Sequence, residues 1–257
     1  MMHDLRFAVR QLWKAPGFTI AAVLVLTLGI GANTAVFSLV HTMLFAPPGY
    51  ARPNELVQIF SQDTKNPKSF REFSYPTLND IREQNSVFSS VAGFNVGMVG
   101  IGEKNNTRRT FVSLVSANYF EVLGVGPVLG RVFTMEEEQP GRAASVAIVS
   151  YSYWTRHNRD ASILGSQVLI NGRSYTIVGV LPKTFTGTLP VLSPEVWLPL
   201  SAFEFVAPNY TNDPAQTLGN RKAEQLLLIG RFKQGVTICR SRAASRTTSF
   251  SSSSFPR

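Results

Sequence analysis

The chain has 257 residues, a formal net charge of +9 and a single cysteine. Divided along its length, the charge is +2 up to Gly17, +4 over the last twenty residues and +3 between them, so no domain is basic and nucleic-acid binding is disfavoured. Cys239 alone permits no intramolecular disulfide, and His3, His41 and His157 lie in three different settings that form no metal cluster.

The first element is as long as a membrane is thick. Residues 18–44 contain no charged side chain and follow a flank carrying Arg6, Arg10 and Lys14. As a helix they would run roughly 40 Å, whereas a bilayer core needs only about 20 residues. Thirteen of them are Leu, Ile, Val or Phe, which at the helix centre favour insertion by about 4–8 kcal/mol at most. The next charge is Arg52, so the positive-inside bias places the N-terminus in the cytoplasm and the long remainder outside it. The rival reading is a cleaved signal peptide with residues 19–30 as its core and Gly31, Ala32 and Ala35 near the cut. Apolar character resuming at Val36 and continuing to Leu44 favours an uncleaved transmembrane helix.

In residues 1–17, Leu5, Val9, Leu12 and Trp13 recur at helical spacing, with Arg6, Arg10 and Lys14 on another face. That suits a basic amphipathic segment in the cytoplasmic interface, broken from the span at Pro16-Gly17; an ordinary basic flank is the alternative. Within the span, Thr27, Gly31, Ala35 and Ser38 follow at spacings of four, four and three. Small residues on one face let helix backbones approach closely in lipid, so these four are read as helix-packing positions against other transmembrane helices. Asn33 and Thr34 add polar groups that need partners there.

Residues 50–237 are long enough for one or two compact domains. Glu55 to Phe60 reads as a strand, and Ser74 as the cap of a helix reaching Arg82, with Pro76 in its first turn. Phe94–Ile101 and Arg109–Val115, separated by a polar loop at 103–107, read as a hairpin. Ala117–Leu123 is a short helix, Ser145–Val149 a buried strand, and Tyr151–His157 a second short helix. The clearest local signal is Asn171-Gly172 between two strand-like runs over 167–180, which suits a type I′ turn. Glu195–Leu200 and Gln225–Phe232 complete the strands. Short strands interspersed with short helices, without long helical crossovers, predict an α+β domain.

Residues 238–257 differ in kind: seven are Ser, four are Arg and none is acidic. They read as a disordered tail. Its abrupt onset after Thr237 is what a change of translation frame or a truncated gene would produce; a natural Ser/Arg tail is the alternative.

The chain carries no P-loop, no nucleophile elbow and no H-E-x-x-H. Adjacent Glu136, Glu137 and Glu138 are read as a solvated surface, and Trp154 and Trp197 as core anchors. No catalytic residue, cofactor ligand or metal ligand is nominated, and the chain is not read as an enzyme.

Taken together, several segments resemble a known family. Gly31 to Ser38 in a first transmembrane helix and Pro53-Asn-Glu-Leu-Val57 are similar to the start of MacB-type ABC transporter permeases, notably an acidobacterial duplicated group. Leu5–Leu12 and Pro16-Gly-Phe18 fit the same beginning. Asn118–Gly124, Pro127–Phe133, Ser150–Trp154, Gly165, Asn171-Gly172 with Tyr175–Val180, Val196–Pro199 and Gly230–Val236 resemble the family's periplasmic core domain. The resemblance spans about residues 4–237.

It implies a permease subunit in a bacterial inner membrane, with its main domain periplasmic. It also implies an ABC ATPase partner, three further helices, a homodimer and, in some members, a periplasmic adaptor and an efflux role. Two other readings stand beside it: a single-pass anchored periplasmic binding module, and an exported enzyme with a dispersed site.

Overall fold

The computed structural model describes residues 16–45, 49–62, 70–102, 107–142, 144–189, 192–206, 217–235 and 250–253. Two compact units result, residues 1–47 and 48–257. Of the amphipathic segment read over residues 1–17, residues 1–15 lie outside the described residues, as do residues 103–106 of the loop at 103–107.

The first unit contains helix α1, Pro16–Phe45. At about 1.5 Å per residue its 30 residues span roughly 45 Å. It is the one helix among the described residues long and apolar enough to cross a membrane. Pro16 and Gly17 lie in its first turn rather than forming a break before it. A proline is tolerated there because the first N–H groups of a helix have no intrahelical partner to lose. Phe18, Leu24, Val25, Leu28 and Phe37 stand exposed, as they would on a helix solvated by lipid.

The second unit is the expected α+β domain. Its strands in chain order are β1 (Leu56–Gln62), β2 (Phe70–Arg71), β3 (Phe88–Ile101), β4 (Arg108–Val115), β5 (Leu129–Gly130), β6 (Val146–Val149), β7 (Gln167–Ile170), β8 (Arg173–Val180), β9 (Val196–Pro199), β10 (Leu227–Phe232) and β11 (Phe250–Ser253). Between them come the helices α2 (Tyr75–Gln84), α3 (Tyr119–Leu123), α4 (Met135–Glu138), α5 (Tyr151–Arg156) and α6 (Phe203–Val206). The Ser74 cap of α2 is realised: the Thr77 N–H donates to Ser74 Oγ at 3.3 Å. The Asn171-Gly172 turn has positive φ at both residues, 49° and 79°, and sets Ile170 opposite Arg173.

β3 organises the sheet. Its first half pairs with β10 and its second half with β4, both antiparallel. The sequence places this strand's start at Phe94, but it begins at Phe88, because residues 88–93 find their partner in distant β10. From β4 the ladder runs through β9, β6 and β8 to β7, which returns to β3 at Ile101–Ile170. These strands therefore close into a ring, with two parallel contacts, β4–β9 and β6–β8. Val99, Val112, Leu114, Val168, Ile177, Val196 and Leu198 belong to one buried cluster on the ring's inner face. That cluster continues under α2 through Val57, Leu78, Leu228 and Phe232. The opposite face carries a second cluster around Phe94, Tyr119, Phe120, Phe185, Trp197 and Ile229. Alternation along β10 makes the division plain: Leu228 and Phe232 face one cluster and Ile229 the other.

Trp197 is fully buried as an anchor, and Trp154 packs half-buried against the core with its indole N–H donating to Asp160 O at 2.8 Å. Two expectations need correction. Glu138 does not share a solvated surface with Glu136: it is 1% exposed and paired with Arg82, which reaches it from α2. Within the segment read as a disordered tail, Phe250–Ser253 forms β11 and pairs antiparallel with β1. A strand edge offers backbone N–H and C=O groups that an extended segment can satisfy whatever its side chains. Residues 236–249 and 254–257 lie outside the described residues.

Candidate functional site

The sequence-nominated residues are all on α1. Thr27, Gly31, Ala35 and Ser38 share one face by helical period, and each is exposed. A Cβ added at Gly31 would meet nothing within 4 Å.

A second group, not nominated from sequence, stands where the chain comes into the domain and where its last long strand ends. β1 and β10 are antiparallel neighbours, with Leu56 opposite Arg231. The start of β1 and the end of β10 therefore lie at the same end of the sheet. The incoming segment 49–55 is bound to the domain by backbone as well as side chains. Ala51 N–H donates to Leu123 O at 3.0 Å, at the C-terminus of α3. Gly124, which ends that helix at φ 67°, sits so close that a Cβ there would lie 2.7 Å from Ala51 Cβ. Gly49 is closer still to the 184–185 backbone: an added Cβ would come within 2.0 Å of Thr184 O.

Arg231 is the hub of this end. It is 8% exposed, on the face of β10 that looks toward α3. Its Nε donates to Val122 O at 2.8 Å, and its Nη2 to Ala51 O at 2.8 Å. Its Nη1 donates to Glu55 Oε2 at 2.9 Å and lies 3.5 Å from Arg52 O. A planar guanidinium with five N–H donors suits this task; a lysine ammonium has no such fork. Hydrogen bonds to a charged group contribute roughly 1.5–3 kcal/mol each, so this residue alone holds three pieces of chain together. Arg52 itself takes a left-handed conformation, φ 49°, and starts the short 3-10 turn Pro53–Glu55 that delivers Glu55 to Arg231. Beside them, burial pushes the Tyr50 phenol up to about 12, so it stays neutral at physiological pH.

A second polar network lies where α2, α3 and α4 approach one another. Arg82 Nη1 donates to Glu138 Oε1 at 2.7 Å, and Arg82 Nη2 to Asn118 Oδ1 at 2.7 Å. Ala117 N–H donates to Glu138 Oε2 at 2.7 Å. Arg82 Nε and Asn118 Nδ2 both donate to Val91 O, at 3.1 and 3.0 Å. The same β3 that pairs with β10 is thus fastened to the helices on either side.

Sequence reasoning missed both arginines. The signal for Arg231 was present: a single charge inside the strand Leu-Leu-Ile-Gly-Arg-Phe of β10. A charge in a buried strand demands partners, though nothing local names them. None of these groups is arranged as a nucleophile with a base, and no group of three or more His, Cys, Asp or Glu among the described residues could hold a metal ion. What the arrangement can do is mechanical: it makes the incoming segment, the outgoing strand and α3 one body.

A family profile for the MacB-like periplasmic core domain matches residues 19–240. The crystal structure of the periplasmic region of MacB from Actinobacillus actinomycetemcomitans is similar with a TM-score of 0.55 at 15% identity, over 80% of this chain and 90% of that one. A domain described as belonging to a permease protein from Porphyromonas gingivalis is similar with a TM-score of 0.55 at 16% identity, over 81% of this chain and 94% of that one. At such identities the likeness speaks for the fold alone. Among curated proteins compared by sequence, none matches. The profile match covers most of the chain and agrees with the fold, so the chain belongs to the MacB-like periplasmic core domain family of ABC-type transporter permeases.

Proposed function

We propose that the chain serves as the first-helix and periplasmic portion of a permease subunit, coupling ATP hydrolysis by a separate ABC ATPase to motion of the periplasmic domain during efflux. The observation that carries this reading is the common end shared by the incoming segment and β10, downstream of a helix long enough to cross a membrane. Movement of transmembrane helices then reaches the domain at one place, where Arg231 gathers both strands. β3 continues from there into the closed ring. In this reading residues 1–17 are cytoplasmic, the domain is periplasmic, and Thr27, Gly31, Ala35 and Ser38 pack against helices of a second copy or of a companion segment. The chain does no chemistry itself.

The test is cysteine crosslinking in native membranes. Thr27→Cys, Ala35→Cys and Ser38→Cys are each placed in a Cys239→Ser background and oxidised. Disulfide-linked species at one or more positions, lost when Gly31→Leu is added while the protein stays in carbonate-washed membranes, support the reading. Monomer alone at all three positions would overturn packing of this face on a second copy. Labelling of Asn54→Cys by an impermeant maleimide in spheroplasts checks the orientation, and a failure to label there refutes the periplasmic placement.

A further inference from the structure

We infer that Arg231 is the positioning residue that makes the incoming segment 51–55 and α3 move as one body with β10. Its purpose rests on the permease reading above, but its existence can be tested separately. Three features point to coupling rather than to packing alone. First, the guanidinium ties its own strand β10 to two other pieces of chain: Ala51 and Glu55 before β1, and Val122 in α3. Second, of these partners only Glu55 carries charge; the others are backbone carbonyls, so the contact follows the path of the chain whatever side chains stand at 51 and 122. Third, β10 is irregular beside the hub. Its register with β3 shifts between Arg231 and Phe232, so the ladder there is weaker than along Leu227–Gly230. On its β3 side the backbone therefore holds this end of β10 less firmly, while on its β1 side Leu56 stays paired with Arg231; the side chain secures what neither ladder reaches, residues 51–55 and α3.

Without Arg231, Ala51 keeps its bond to Leu123 O and Phe232 keeps its stack on Phe88, at 5.4 Å between ring centroids. β1 and β10 then stay paired from Leu56–Arg231 onward, but residues 51–55 move independently of β10. That separates loss of coupling from loss of fold.

The experiment uses the full chain in detergent micelles, with nitroxides on Asn54→Cys and Gln234→Cys in a Cys239→Ser background; both sites are exposed. Arg231→Gln is expected to broaden the distance distribution between the labels. It is also expected to speed hydrogen exchange at Ala51 by about tenfold, the effect of losing one charge-assisted bond. Exchange in β6 and β8 should stay unchanged. Glu55→Gln, which leaves the carbonyl contacts in place, is expected to broaden the distribution less, and Arg231→Lys to fall between wild type and Arg231→Gln. If Arg231→Gln does not fold, Glu55→Gln and Arg231→Lys still decide the matter: distributions as narrow as wild type in both would overturn the inference. A uniform rise of exchange throughout the domain would also overturn it, because that marks a merely structural role. A failure of helix crosslinking at α1 would sink packing of that helix on a second copy and leave these outcomes untouched.

Discussion

Glu138→Ala tests whether the buried network between α2, α3 and α4 holds the domain together. The carboxylate is 1% exposed and accepts from Arg82 at 2.7 Å and from the Ala117 N–H at 2.7 Å. Removing one partner of a buried ion pair costs about 3–5 kcal/mol, because the other charge is left uncompensated. Arg82 moderates that cost, for its side chain keeps 16% exposure and three other acceptors, Asn79 Oδ1, Asn118 Oδ1 and Val91 O. The Ala117 N–H loses its partner as well, adding about 1 kcal/mol or more. The sum is about 3–4 kcal/mol. For a unit of this size each kcal/mol moves the midpoint by about 2–4 °C, so the expected fall is about 6–16 °C. The assay is thermal and urea unfolding followed by tryptophan fluorescence, which buried Trp197 makes sensitive to the fold. An Arg82→Met partner completes a double-mutant cycle, with an expected coupling of about 1–3 kcal/mol. A cost below about 1 kcal/mol for Glu138→Ala, or strictly additive single effects, would refute the reasoning.

Three further outcomes are expected. Burial works to raise the Glu195 carboxyl, but hydrogen bonds and charge from Arg108 and Arg156 outweigh it and hold the group below the usual carboxylate range. A depressed carboxylate stabilises the fold above its unfolded value, about 4.3, and that stability is lost as pH falls through the folded value. Arg108→Gln should therefore lower the urea midpoint at neutral pH and converge with wild type as pH falls through the folded value; a gap unchanged across the acid range contradicts this. Gly179→Ala should cost about 2 kcal/mol or more, since its Cβ would lie 2.3 Å from the Arg131 carbonyl oxygen, and an unchanged urea midpoint refutes the close approach. The Trp197 indole N–H is buried without an acceptor, so Trp197→Phe should cost less than about 1.5 kcal/mol, against about 3–5 for Trp197→Ala; equal losses would argue against the unsatisfied donor.

The features legible in the sequence are those governed by neighbours along the chain. An uncharged run of membrane length makes α1 without reference to anything else. Ser74 caps α2 because its hydroxyl meets an N–H three residues on. Asn171-Gly172 turns the β7–β8 hairpin because both residues tolerate positive φ. Seeing the domain as α+β, and its family likeness, also follows from such local runs taken in order.

Tertiary structure decided everything that depends on a distant partner. β3 extends back to Phe88 only because β10, more than a hundred residues later, supplies hydrogen bonds to that half. The parallel pairs β4–β9 and β6–β8, and the return of β7 to β3, have no local signature, since strand pairing is a choice among edges. The same holds for charge. Glu138 looks like its neighbours Glu136 and Glu137 until Arg82 arrives from another helix, and Arg231 looks misplaced in an apolar strand until the chain's incoming segment folds over it. A buried charge states that it needs partners; only the fold, by bringing remote carbonyls and carboxylates within 3 Å, determines which they are.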